Sequence, residues 1–152
     1  GVGANKNTFK ILKSASWRIL LIPLSIIIGT FLGTLVYSFF DPELSLRDCW
    51  AVGAGFGYYS LSSVIIKEIA GETLGVIALL SNIIREILTL IFSPLLSKFL
   101  GKLAPISAGG ATSMDTTLPI ITKSIGVEYA AFSVFSGLVL TLLVPFIVPL
   151  IL

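Results

Sequence analysis

The chain has no histidine, one cysteine (Cys49) and one methionine (Met114) among its 152 residues. Without imidazole there is no Ser-His-Asp or Cys-His nucleophilic pair and no Cys/His zinc site, and a lone cysteine builds no disulfide framework. Charge is equally scarce. Asp, Glu, Lys and Arg make up 12% of the residues, against about 25% in a soluble domain, while 55% of the chain is hydrophobic and the mean hydropathy is +1.03. Ten basic residues against eight acids give a net charge of +2, too small and too scattered for a nucleic-acid surface. What is left is an all-α polytopic membrane protein with no cofactor motif and no metal-ligand cluster. Its chemistry must run on carboxylates, hydroxyls, amides, lysine or arginine.

Crossing a hydrocarbon core of about 30 Å takes roughly 20 helical residues. Four runs of the sequence approach this, at about 17–40, 50–66, 73–97 and 130–152, with the chain treated as one transmembrane domain over 1–152. The first run is uncharged from Ile19 to Phe40. It follows the interfacial pair Trp17-Arg18 and stops at Asp41-Pro42, where proline ends a helix. It is too long for a signal-peptide core. The second is minimal in length and follows an acidic loop at 41–49; the fourth carries Pro145 and Pro149, which membrane helices tolerate. Between Lys102 and Glu128, the stretch 103–122 is long enough to span but is interrupted by Pro105, Gly109, Gly110 and Pro119. Non-helical backbone at membrane depth survives only inside protein or beside a water-filled cavity, so this stretch is expected to be discontinuous or re-entrant. Lys6, Lys10, Lys13 and Arg18 form the densest basic cluster and place the N-terminal flank in the cytoplasm by the positive-inside rule.

An ionisable residue inside a span costs roughly 2.5–3.5 kcal/mol on insertion scales, so each one marks a functional candidate. There are three: Arg85, Glu86 and Asp115. Glu86 falls about 20 Å into its span at 1.5 Å per residue, near the bilayer midplane. Asn82, Glu86, Thr89 and Ser93 share one helical face, which is expected to face a cavity. Arg85 points about 100° away from Glu86; its expected partners are Ser81, backbone carbonyls or a carboxylate elsewhere, with Asp115 the first candidate. A helix interrupted at Ser81-Asn82 is the alternative. Asp115 lies just past Gly109-Gly110, where a half-helix would aim free N–H groups at an anion. In the second run, Gly53 and Gly57 permit close helix approach, and Tyr59 and Ser60 are candidates to line the cavity of Glu86.

The strings GFGYYSLSS at 55–63, SNIIREILTLIFSP at 81–94, GGATSMDTTLPII at 109–121 and SGLVLTLLVPFIVP at 136–149 together resemble the lysine exporter (LysO) family in order and spacing. The resemblance implies a secondary transporter, not an enzyme, that exports L-lysine and its analogue thialysine across the cytoplasmic (inner) membrane in exchange for protons. It maps the family's intramembrane acidic pair onto Glu86 and Asp115. Tyr58 and Ser63 depart from the family pattern, where Trp and Gly are expected. A complete exporter is about twice as long, so the chain resembles the C-terminal half, with the N-terminal half as a separate chain or missing segment. The opening Gly1-Val2-Gly3, without methionine, fits the same expectation; a homo-oligomer is also allowed.

From these residues the expected site has Glu86 and Asp115 alternating between proton and substrate ammonium. Asn82, Thr112, Ser113, Thr116, Tyr59 and Ser60 are the polar contacts, and Arg85, Gly109, Gly110 and Pro119 have structural or ion-pair roles. A carboxyl in low dielectric titrates at higher pH than in water, which suits proton exchange. Sodium coupling is an alternative, since Thr112, Ser113 and Asp115 offer oxygen ligands. An intramembrane aspartyl protease, with the two acids as a shared-proton dyad, is a further alternative, although Gly-x-Gly-Asp is absent.

Overall fold

The computed structural model describes residues 18–152. Lys6, Lys10, Lys13, Trp17 and the side chain of Arg18, on which the orientation of the N-terminal flank rests, lie outside the described residues. Among the described residues there are helices and turns but no strand. Three helical stretches are long and apolar enough to cross a membrane: Ile19–Ser38, Glu72–Leu100 and Val127–Ile151.

Helix α1 runs from Arg18 to Ser38 and buries Ile22, Pro23 and Ile26 on one side. The opposite side shows Leu20, Leu24, Ile28, Leu32 and Val36 at intervals of four residues, all exposed. The last helix (Ala130–Ile151) presents Val134, Leu138, Leu142, Phe146 and Leu150 in the same register while burying Ser133, Ser136, Gly137, Leu140, Val144 and Val148. Apolar stripes of this size turned outward, with serines and a glycine turned inward, suit a hydrocarbon surround rather than water.

The run expected to span at 50–66 is not one helix. It divides into α2 (Leu46–Gly53) and α3 (Tyr59–Ala70) around an irregular turn at 54–58. The cause is local: Phe56 and Gly57 both take positive φ, 47° and 99°, a conformation that ends a right-handed helix. The acidic loop expected at 41–49 is also shorter than its composition suggested. Ser45 caps α2 by accepting a hydrogen bond from the Asp48 N–H at 3.2 Å while the Asp48 carboxylate accepts one from the Ser45 N–H, a reciprocal capping box.

Helix α4 (Glu72–Leu100) is continuous through Ser81-Asn82, which removes the alternative of two short pieces. Its 29 residues extend about 43 Å at 1.5 Å per residue. The stretch 103–122 is discontinuous, as its prolines and glycines predict: α5 (Ala104–Gly109), a 3₁₀ turn (Gly110–Met114), then α6 (Leu118–Ile125). Proline stands in the first turn of both half-helices, where its fixed φ is already helical and no N–H is missed. After a second short turn at Val127–Tyr129, α7 (Ala130–Ile151) packs along the 110–114 turn. A Cβ on Gly137 would lie 2.7 Å from the Ala111 carbonyl oxygen, so this contact needs a residue without a side chain. Phe56, Ile66, Ala78, Ile106, Ile121, Leu140 and Val144 form the common core.

Candidate transport site

The two broken elements meet at their breaks. The Ala111 N–H donates to the Phe56 carbonyl at 2.8 Å, joining the irregular backbone of α2–α3 directly to that of α5–α6. Close approach is possible because both sides carry glycine. Gly110 has φ 62°, and a Cβ there would collide with the Phe56 carbonyl oxygen and reach within 3.0 Å of Arg85 Nη2. Gly57 has φ 99°, and its Cβ would meet the Gly109 carbonyl at 3.0 Å.

Helix α4 braces both breaks from one side, with two residues a single turn apart. Asn82 serves the first: its Oδ1 accepts from the Gly57 N–H at 2.7 Å, and its Nδ2 donates to the Ala78 and Val52 carbonyls at 2.9 and 3.3 Å. Arg85 serves the second: Nε donates to the Ala108 carbonyl at 2.8 Å and Nη2 to the Ser107 carbonyl at 3.1 Å. Those carbonyls belong to the end of α5, where unpaired acceptors collect. Buried backbone groups left by a helix break must find partners, and α4 supplies them.

Of the two acids expected at the site, Glu86 is the middle residue of α4, with 14 residues on each side between Glu72 and Leu100. It is half-buried. Asp115 follows the 3₁₀ turn and is exposed, its Oδ1 accepting from the Thr116 N–H at 2.6 Å. The expected half-helix begins later than anticipated, at Leu118 rather than directly after the glycines. Asp115 does not pair with Arg85. Among the described residues the one ion pair is Lys67–Glu72, at 2.7 Å, on the surface between α3 and α4.

The polar stripe of α4 splits. Asn82, Thr89 and Ser93 are buried, but the Thr89 and Ser93 hydroxyls donate to carbonyls of their own helix, those of Arg85 and Thr89. Among the described residues, cavities of about 470, 600 and 260 Å³ border the helix, and Arg85 lines all three of these. Glu86, Tyr59 and Ser60 line none of these three; Tyr59 is half-buried and Ser60 exposed at the start of α3. Thr112 and Ser113 are buried in the turn. Thr112 donates to the Gly109 carbonyl and lies 3.4 Å from the Thr117 hydroxyl; Ser113 is within reach of the Gly110 and Ser133 carbonyls. Their hydroxyls hold the break together. Thr116 stays exposed beside Asp115. Pro119 is the second residue of α6, and Gly109 packs against Thr117 and Ser113.

Sequence reasoning missed Ser133, whose hydroxyl returns a bond to the Ser113 carbonyl at 2.8 Å, and Ser62 and Ser136, fully buried with unpartnered hydroxyls on α3 and α7. For Ser133 and Ser136 the visible signal was three small residues, Ser133, Ser136 and Gly137, within one otherwise apolar run.

The sequence profile described as Lysine exporter LysO matches residues 1–152. The chain belongs to the lysine exporter family. It is 28% identical over 131 residues to the Lysine exporter LysO of Escherichia coli, covering 86% of the chain and 43% of that protein. It is 37% identical over 118 residues to a provisionally named lysine exporter of Haemophilus influenzae, covering 78% of the chain and 60% of that protein. The chain therefore spans about half the length of these curated relatives. No solved structure matches it. The family consists of transporters rather than enzymes, which sets aside the aspartyl protease.

Proposed function

We propose that the chain is the site-bearing part of a secondary transporter that exports L-lysine and analogues such as thialysine across the cytoplasmic membrane in exchange for protons. Glu86 and Asp115 carry proton and substrate ammonium in turn. The observation that supports this most is a carboxylic acid at the midpoint of the longest helix, next to the residue that braces the second break, in a chain of this family. Broken helices at mid-membrane are where secondary transporters assemble sites for charged solutes. Moving a cation outward against a negative-inside potential costs about 2.3 kcal/mol per charge per 100 mV; importing one proton per lysine cancels that charge movement. A lysine held by carboxylates leaves when a proton replaces it, so a single acid serves both cargoes.

The remaining length found in the relatives belongs to the working transporter in this reading, on the same polypeptide or a separate one. In sealed inside-out membrane vesicles, added lysine or thialysine is expected to trigger proton release. Glu86→Gln and Asp115→Asn are expected to abolish it with normal membrane insertion. Undiminished coupling in either variant refutes the assignment of that acid, and lysine movement that follows a sodium gradient instead of a proton gradient moves the coupling to Na⁺.

A further inference from the structure

Arg85 has more hydrogen-bonding capacity than its bracing role uses. A guanidinium carries five N–H donors in a planar fork and stays charged. Two atoms, Nε and Nη2, are engaged with the Ala108 and Ser107 carbonyls. Nη1 has no partner among the described residues, and it is not one of the sealed, unpartnered buried atoms, which are confined to Trp50, Ser62 and Ser136. No carboxylate of the described residues pairs with the group. A cation in the middle of a membrane helix without a counter-ion is costly, and carbonyl dipoles offset only part of its charge. Arg85 also lines three cavities: one along α4 with Ser81, Thr89 and Phe92, one between α1 and α5 with Thr30 and Ser107, and one towards α2 with Thr34 and Asn82.

We infer that Arg85 is a carboxylate-binding residue: its outer edge receives the α-carboxylate of an amino-acid substrate while its inner edge holds α5. This deepens the transport reading and rests on it. An acid alone recognises any cation, whereas an amino acid carries both signs. A guanidinium edge offers two parallel donors matched to a carboxylate, and a site with an unpaired donor discriminates strongly against a ligand lacking the acceptor. The arrangement therefore selects amino acids over plain diamines. The occupied edge also makes the substrate contact the same side chain that fixes the second break.

The test compares three probes on the protein in membrane vesicles. L-lysine has both groups, 6-aminohexanoate keeps the carboxylate and one amine, and cadaverine is lysine without its carboxylate. The rate at which phenylglyoxal modifies Arg85, read by mass spectrometry of its peptide, reports occupancy of the guanidinium in the unmutated protein, so no variant has to fold. Lysine and 6-aminohexanoate are expected to slow the modification and cadaverine to leave it unchanged. Arg85→Lys is expected to weaken lysine transport by roughly tenfold or more, through the lost bidentate geometry, while cadaverine's poor competition stays the same. Protection by 6-aminohexanoate without protection by lysine upholds the carboxylate site and overturns lysine as substrate. Equal protection by cadaverine, or lysine transport with no protection of Arg85, overturns the carboxylate site and leaves the lysine reading standing.

Discussion

Asn82 and Ser136 are both buried polar side chains, yet they stand at opposite ends of what such a group can contribute. Asn82 satisfies a buried backbone N–H and two carbonyls, whereas the Ser136 hydroxyl has no partner among the described residues. Removing a partner from a buried donor costs that donor's desolvation, about 1–3 kcal/mol, while deleting an unpaired hydroxyl returns a cost already incurred. Asn82→Ala is therefore expected to lower the unfolding temperature in detergent clearly, and Ser136→Ala to leave it unchanged or raise it slightly. Fluorescence-detected thermal unfolding measures both. An Asn82→Ala protein as stable as the parent would show that the amide does not support the first break. Thr112 and Ser113 follow the same logic: their hydroxyls donate to carbonyls inside the turn, so removing either hydroxyl leaves a buried acceptor with one partner fewer.

The long helices were legible because an uncharged run of some 20 residues has few other fates; α1, α4 and α7 lie close to the expected 17–40, 73–97 and 130–152. The break at 103–122 was legible for the opposite reason, since proline and paired glycines interrupt a helix by covalent structure. The break inside 50–66 escaped notice. Hydropathy counts side chains, and the sign of φ at Phe56 and Gly57 leaves no trace in it. Of the partners expected for Arg85, the backbone carbonyls are the ones it meets, and Asp115, the first candidate, is not; a sequence shows carboxylates but not which of the main-chain carbonyls, which every residue carries, will be left free. Element by element, the prediction concerns the crossing. Gly57→Ala bears the cost of a positive φ, about 1–2 kcal/mol, and a tight contact with the Gly109 carbonyl. Gly110→Ala adds a direct collision with the Phe56 carbonyl oxygen. Gly33→Ala lies on α1 with open space around it, and alanine favours a helix. The expected order of monodisperse yield in detergent is Gly33→Ala at or above the parent, then Gly57→Ala, then Gly110→Ala; a well-behaved Gly110→Ala protein would mean that the breaks do not touch.

Viewed whole, the described part of the molecule turns its apolar stripes outward and buries Ser62, Ser93, Ser113, Ser133, Ser136 and its single cysteine. Cys49 is 3% exposed, so maleimide is expected to label the unmutated protein only after denaturation. Cysteines introduced at Leu24 or Leu138, which are 50% and 48% exposed, are expected to report contact with lipid-soluble quenchers. Ready labelling of Cys49 in intact membranes would contradict the packing of α2 against α1. At the centre of this arrangement, the Ala111 N–H and the Phe56 carbonyl form the only direct hydrogen bond between the two broken elements among the described residues. Both partners are main-chain groups, so the tie is blind to side-chain identity. Alanine scanning passes over it: residue 111 is already alanine, and truncating Phe56 removes a ring but keeps the carbonyl. Removing the donor itself, by Ala111→Pro or an ester in place of that amide, cuts the link without crowding at Gly110 and shows whether the two elements travel together during a transport cycle or part at each turnover.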